Sequence, residues 1–230
     1  KSDVSSPDIV LGSSVHLFAC LTAYFISKKF KCKFLLEIRD LWPETLIDMG
    51  AITKRSLAAK FFYSLEDYLY KRADEIITLL PGAVDYISEK GINKNKIHYI
   101  PNGVDIDFFD KNQKLEISDK LDWFESNNKF NIVYAGSHGI ANKLDTILES
   151  AKIINENHTD IYFHFIGDGP EKPNLISLAD KYNLENVKFY DSIEKKYIPA
   201  LLSEADLLIV AMRDLDLYKF GISLNKLFDY

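Results

Sequence analysis

Short apolar runs recur down this chain at intervals that leave room for one helix each. That alternation limits the fold more than any other feature. Runs at 8–11, 34–38, 75–80 and 96–100 have the length and bounding turn residues of strands. Between them lie amphipathic segments. The strongest, over 55–72, sets Leu57, Ala58, Phe61, Phe62, Leu65, Tyr68 and Leu69 on one side, which predicts a core-facing helix. Ser13 or Ser14 is placed to cap a helix reaching Lys29, and Pro81-Gly82 turns into another ending near Lys90. Parallel neighbours need a crossover, so repeated strand–helix–strand units predict a parallel sheet covered on both faces.

The pattern breaks between Asp105 and Lys129, where an Asn- and Lys-rich passage suits a linker. A second series follows: strands at 130–135, 161–166, 187–190 and a buried strand at 207–211, with helices at 144–157, 174–182 and 197–204. The chain therefore predicts an α/β fold of two Rossmann-like lobes whose parallel sheets face across a cleft. The N-terminal lobe covers 1–108, the linker 109–129 and the C-terminal lobe 130–230. Ligands of such sheets bind at the carboxyl ends of the strands.

Composition narrows the partners. The 230 residues carry 28 basic and 34 acidic side chains, a net charge of -6, with no long block of either sign. That excludes a nucleic-acid binder held by a general positive field, so any anion site must be local. Cys20 and Cys32 have no metal-ligand spacing and predict reduced, structural thiols in a cytoplasmic protein. The apolar stretch 15–26 is too short to span a bilayer, and no signal peptide is evident.

The local site is the stretch Gly221-Ile-Ser-Leu-Asn-Lys-Leu-Phe-Asp-Tyr230. Ser223 stands as an N-cap, and Leu224, Leu227 and Phe228 have the spacing of a packed helix. Backbone N–H groups of Ile222, Ser223 and Leu224, with the positive dipole end, face an anion there. Lys226 adds a full charge, and Asn225 and Asp229 share its side of the helix. This is a phosphate cradle with a carboxylate one turn deeper for sugar hydroxyls. The alternative is an ordinary Lys226–Asp229 pair in solvent.

Several motifs together resemble glycosyltransferase family 4 (glycosyl transferases group 1). They are Lys71-Arg-Ala-Asp74, Ile100-Pro-Asn-Gly-Val-Asp105, Tyr134-Ala-Gly136, Phe165-Ile-Gly-Asp-Gly-Pro170, and Asn186-Val-Lys-Phe189 with Ala205-Asp206. Arg39-Asp-Leu-Trp-Pro43 and 223–230 are similar to the bacterial surface-polysaccharide branch. The resemblance implies a GT-B-like fold, here with both lobes incomplete, and retaining transfer of a sugar from a nucleotide-diphosphate donor to a glycan or lipid-linked acceptor. It implies no cofactor and no metal, because helix dipole and cations neutralise the leaving diphosphate.

Carried onto this chain, the resemblance puts Asp229 on the ribose and Lys226, Ser223 and Asn225 on the diphosphate. Gly221 stands where a first acid is usual, so only backbone is offered there. Gly136, Ser137 and His138 take the place of a basic pair, with His138 a substitute cation and Lys143 one position late. Asp168 lies in the Gly-Asp-Gly-Pro loop, and 190–193, with Tyr190, Asp191 and Ile193, is expected to cap the base. Arg39, Asp40 and His16 are the expected acceptor- and sugar-facing groups; the alternative for Arg39 is a structural pair with Glu37 or Asp40. Asp105-Ile-Asp107 and Asp214-Leu-Asp216 are set aside as metal clamps. The basic flank of 55–72 allows peripheral membrane contact. Two other classes fit the same features: a nucleotide-sugar epimerase, and a non-catalytic subunit needing a partner chain. The chain begins and stops short of what the resemblance implies, so weak or no turnover alone is expected.

Overall fold

The computed structural model describes residues 6–14, 16–117 and 129–230. The rest of the predicted linker, 118–128, lies outside the described residues. The chain divides into two compact units, Lys1–Asn102 with Asp214–Leu224, and Gly103–Arg213 with Asn225–Tyr230.

The first unit runs β1 (Ile9–Ser13), α1 (Leu17–Phe30), β2 (Lys33–Ile38), α2 (Glu44–Asp48), α3 (Leu57–Arg72), β3 (Glu75–Thr78), α4 (Ala83–Glu89) and β4 (Ile97–Tyr99). The four strands are parallel in the order β1-β2-β3-β4. Phe34, Leu36 and Ile38 alternate into a core shared with Leu17 and Cys20 of α1 and with Leu69 and Tyr70 of α3.

Two helix expectations change. Neither Ser13 nor Ser14 caps α1. Ser14 Oγ accepts the Arg39 N–H at 3.0 Å, and Ser13 donates to the Glu37 carboxylate, so both hydroxyls fasten β1 to β2. The helix starts at Leu17 behind His16, with no side-chain cap. In α3, Ser56 does cap, accepting the Ala59 N–H at 3.1 Å. Its predicted apolar side is only partly core, however: Leu57 is 83% and Phe61 53% exposed.

The second unit runs α5 (Ile106–Asn112), β5 (Phe130–Ala135), α6 (Leu144–Asn155), β6 (Ile161–Ile166), α7 (Lys172–Lys181), β7 (Val187–Tyr190), α8 (Ile198–Ser203), β8 (Leu207–Leu208) and α9 (Asn225–Asp229). The parallel order is β7-β6-β5-β8. Alternation along β5 and β6 feeds two cores. Ile132, Tyr134, Phe163 and Phe165 meet α6 and α7 on one face, while Val133, Ala135 and Ile166 meet α8 on the other. The linker expectation is modified at its start by α5, whose N-cap is Asp105, accepting the Phe108 N–H at 2.9 Å. That occupies a carboxylate of the first Asp-x-Asp pair. The run 207–211 is not a buried strand. Only Leu207 and Leu208 pair with β5, and Leu207 is 46% exposed, because β8 sits at the edge of the described sheet.

The two Ala-Asp motifs share one structural role. Asp74 precedes β3, and its carboxylate accepts the Phe34 N–H at 2.8 Å while its own N–H donates to the Phe34 carbonyl at 2.9 Å. Asp206 treats Asn131 in the same way, at 2.7 and 3.0 Å. Each Asp locks the entry of one strand to its neighbour, which fixes the register of the parallel pair.

The segment 214–224, predicted inside the second lobe, packs with the first unit. The Leu217 N–H donates to Asp48 at 2.7 Å, the Gly82 N–H donates to the Phe220 carbonyl at 2.8 Å, and Leu217 is buried.

Candidate functional site

At the carboxyl ends of β5 and β6 the backbones come very close. A Cβ on Gly167 would lie 2.0 Å from the Gly136 carbonyl oxygen, and Gly167 has φ +140°, so no other residue fits. A Cβ on Gly136 would lie 2.4 Å from Lys226 Cε. Gly136 thus clears the space in which Lys226 of α9 lies, while Gly167 lets the end of β6 approach Gly136.

Lys226 is part-buried, with Nζ 4.1 Å from the Tyr134 ring centroid, donating to the Tyr134 hydroxyl and, at 3.4 Å, to Asn142 Oδ1. Among the described residues it forms no ion pair. The solvent pair with Asp229, held open by the sequence, is absent there. Burial alone pushes the ammonium down to about 8. A desolvated cation facing only neutral oxygens and a π-face is a receptor for an added anion. Tyr134 is fixed in turn, its hydroxyl donating to the Ser137 carbonyl at 2.6 Å.

Tyr230 fastens the short helix that carries Lys226. Its hydroxyl accepts the Ala135 N–H at 3.0 Å and donates to the Ala135 carbonyl at 3.1 Å. Asp229 lines a cavity of about 220 Å³ with Val104, Asp105, Phe108, Lys195 and Ile198. The sequence had singled out neither Tyr134 nor Asn142 as functional, although Tyr134 opens a quoted motif.

His138 does not serve as a substitute cation. It is fully buried beside Tyr134, Phe165 and Phe189, and among the described residues neither ring nitrogen has a hydrogen-bond partner. Burial, reinforced by Lys172 and Lys226 and opposed by Asp168, pushes it down to about 4, so the imidazole is neutral. Lys143 is engaged by Asp145. Asp168 is a loop-former: its carboxylate accepts the Gly169 N–H at 2.7 Å and its carbonyl the His138 N–H at 2.8 Å. Tyr190 ends β7, and Asp191 and Ile193 follow it, Asp191 exposed, Tyr190 and Ile193 packed against the second face of the sheet.

The expected diphosphate group is divided. Asn225 and Lys226 belong to the second unit, whereas Gly221, Ile222, Ser223 and Leu224 belong to the first. Ser223 is not an N-cap here: its hydroxyl and carbonyl oxygens accept the Asn102 side-chain amide at 2.9 and 3.2 Å. Gly221, with φ +102°, packs on Pro81.

His16, Arg39 and Asp40 lie at the carboxyl ends of β1 and β2 in the first unit. His16 is exposed and meets Trp42 edge-on, ring centroids 5.6 Å apart. Arg39 is exposed and, among the described residues, pairs with neither Glu37 nor Asp40 within ion-pair distance, so the structural-pair alternative is not seen. Burial raises the Asp40 carboxyl above its usual range, against the pull of Arg39.

Two parallel α/β units of this kind define the GT-B fold. Two solved structures support this at the level of fold. Anabaena HepE, crystallised with UDP and glucose, gives a TM-score of 0.64 at 15% identity, covering 89% of this chain and 53% of that one. An Escherichia coli structure named for trehalose-6-phosphate and bound with UDP-2-fluoro glucose gives 0.69 at 11% identity, covering 92% and 54%.

The chain belongs to the glycosyl transferases group 1 family, which residues 110–225 match; residues 4–103 match the glycosyl transferase 4-like domain. Among curated relatives, WcaI of Escherichia coli K12, named for a glycosyl-transfer role in colanic acid biosynthesis, is 23% identical over 212 residues, 90% of this chain and 51% of that protein. An uncharacterized 41.2 kDa protein of the Klebsiella pneumoniae cps region is 26% identical over 202 residues, 86% and 53%. The chain thus spans about half the length of the curated relatives it matches.

Proposed function

We propose that this chain is part of a retaining glycosyltransferase. It moves a sugar from a nucleotide-diphosphate donor to a glycan or lipid-linked acceptor in bacterial surface-polysaccharide synthesis. The observation that carries the reading is Lys226, a desolvated ammonium with no carboxylate partner among the described residues, set against Tyr134 and Gly136 at the strand ends of a group 1 chain.

As the bond from anomeric carbon to diphosphate oxygen breaks, negative charge grows on the leaving group. The ammonium of Lys226 meets that charge, so stabilisation is larger in the transition state than in the ground state. Tyr134 and Asn142 hold the ammonium in place. With a cation in this role, the reaction needs no metal for charge neutralisation. Asp229 accepts ribose hydroxyls, and the 190–193 loop receives the base. Arg39, free of ion pairs among the described residues, binds a diphosphate-bearing acceptor in bidentate fashion. Peripheral contact with an anionic membrane is consistent with Phe18, Leu57 and Phe61, all more than half exposed near the starts of α1 and α3, with exposed Arg55 and Lys60 close by in the sequence.

Calorimetry with a panel of nucleoside diphosphates and their sugars tests the donor site. Saturable binding of one diphosphate, lost in Lys226→Met, is expected. No binding by the wild-type chain to any of them overturns the proposal.

A further inference from the structure

Lys172 is a cation where helix physics disfavours one. It opens α7, whose first turn holds no acid, so its charge sits by the positive end of the helix dipole. The side chain is nevertheless 12% exposed and turns back toward the strand ends. Its Nζ donates to the Gly167 carbonyl at 3.1 Å, the Tyr190 carbonyl at 2.9 Å and the Asp191 carboxylate at 2.7 Å. An ammonium has three protons, and here three oxygens take them. Lys172 therefore has no proton left for a phosphate, unlike Lys226.

The acceptors come from two adjacent strand ends. Ile166, the last residue of β6, is in register with Tyr190, the last of β7, and the Gly167 N–H donates to the Tyr190 carbonyl at 3.3 Å. Lys172 thus ties the Gly-Asp-Gly-Pro loop to the first residues leaving β7. The Asp191 side chain is 98% exposed, so its bond to Lys172 is what orients it. The Lys172 hydrogen bond and charge hold that carboxyl below its usual range. A local rule broken at a helix start, in favour of a buried clamp on a loop, is the pattern of a functional site.

We infer that Lys172 is a positioning residue for nucleotide recognition: it sets the path of the 190–193 loop and so the platform on which the donor's base rests. The inference rests on the donor-binding reading above.

Calorimetry on the whole chain, wild type and Lys172→Met, with nucleoside 5′-diphosphates and with ribose 5-diphosphate, which lacks a base, tests it. Wild type is expected to bind one nucleoside diphosphate more tightly than ribose 5-diphosphate. Lys172→Met should weaken the nucleoside diphosphate about tenfold and leave ribose 5-diphosphate within about twofold. Equal losses on both ligands, or none on either, overturn the inference while leaving the donor site standing. Wild-type binding to neither ligand overturns the donor site and this inference with it. If Lys172→Met shows no cooperative melt, Asp191→Asn is measured on the same ligands. It keeps both carbonyl bonds, and a base-dependent loss of about threefold supports the inference, whereas no loss overturns it.

Discussion

The ammonium of Lys226 lies over the ring of Tyr134, 4.1 Å from its centroid, and donates to the hydroxyl of the same side chain. One aromatic residue therefore supplies both the π-face and the polar tip that hold a cation without a carboxylate. Among the described residues no acid compensates the charge, which makes the position costly.

Lys226→Met should lower affinity for a nucleoside diphosphate by about 10- to 100-fold, the loss of a charge-assisted contact to phosphate. Stability should stay level or rise, because an apolar isostere replaces a desolvated charge with no acid partner. Calorimetry paired with urea unfolding separates the two effects.

Donor affinity should depend on pH through the same group. Burial pushes the Lys226 ammonium down to about 8, so above that value the free protein loses the cation that an anion needs. The apparent dissociation constant should rise with pH from about 8, by up to about tenfold per unit, until it passes the higher pKa that a bound anion confers. Lys226→Arg keeps its charge throughout and should abolish the slope in a calorimetric pH series.

Tyr230→Phe removes a hydroxyl that serves both backbone groups of Ala135. A buried N–H then loses its acceptor, and a loss of about 1–3 kcal/mol in urea unfolding is expected. Since α9 is also released from β5, nucleotide affinity should fall together with stability, unlike in Lys226→Met.

Glu66 is fully buried in the first unit and accepts from Tyr70 at 2.8 Å, Tyr86 at 3.4 Å and Lys90 at 2.7 Å. Burial pushes its carboxyl up to about 7 against the attraction of Lys90. The folded state therefore keeps the proton where the unfolded chain has lost it. Stability is greatest below the unfolded value of about 4.3 and falls as pH rises toward the folded one, by roughly 4 kcal/mol at most. Urea unfolding at acid and neutral pH should show that fall in wild type, and Glu66→Gln should flatten it.

Strand and helix order was legible because each strand is a short apolar run between turn residues, as with Phe34, Leu36 and Ile38 of β2. That Lys226 lies in a short helix was legible too, from the apolar spacing around it. The failures have separate causes. Ser13 and Ser14 look like helix caps, but a neighbouring strand offered Glu37 and the Arg39 N–H instead. His138 has the composition of a cation, but burial among aromatic rings, with Lys172 and Lys226 nearby, makes it neutral.

By itself the sequence determined periodicity, and with it the parallel strands and their crossovers, since these follow from local spacing. Tertiary structure decided charge and allegiance. Lys143 pairs with Asp145 two residues on, and Lys172 is clamped by groups 5 to 19 residues away, but the setting of Lys226 depends on Tyr134 and Asn142, 92 and 84 residues away. The same holds for 214–224, which joins the first unit because Asp48 and Gly82 lie where its backbone can bond. Desolvation and hydrogen-bond partners are properties of the packed chain, and no pattern of adjacent residues encodes them.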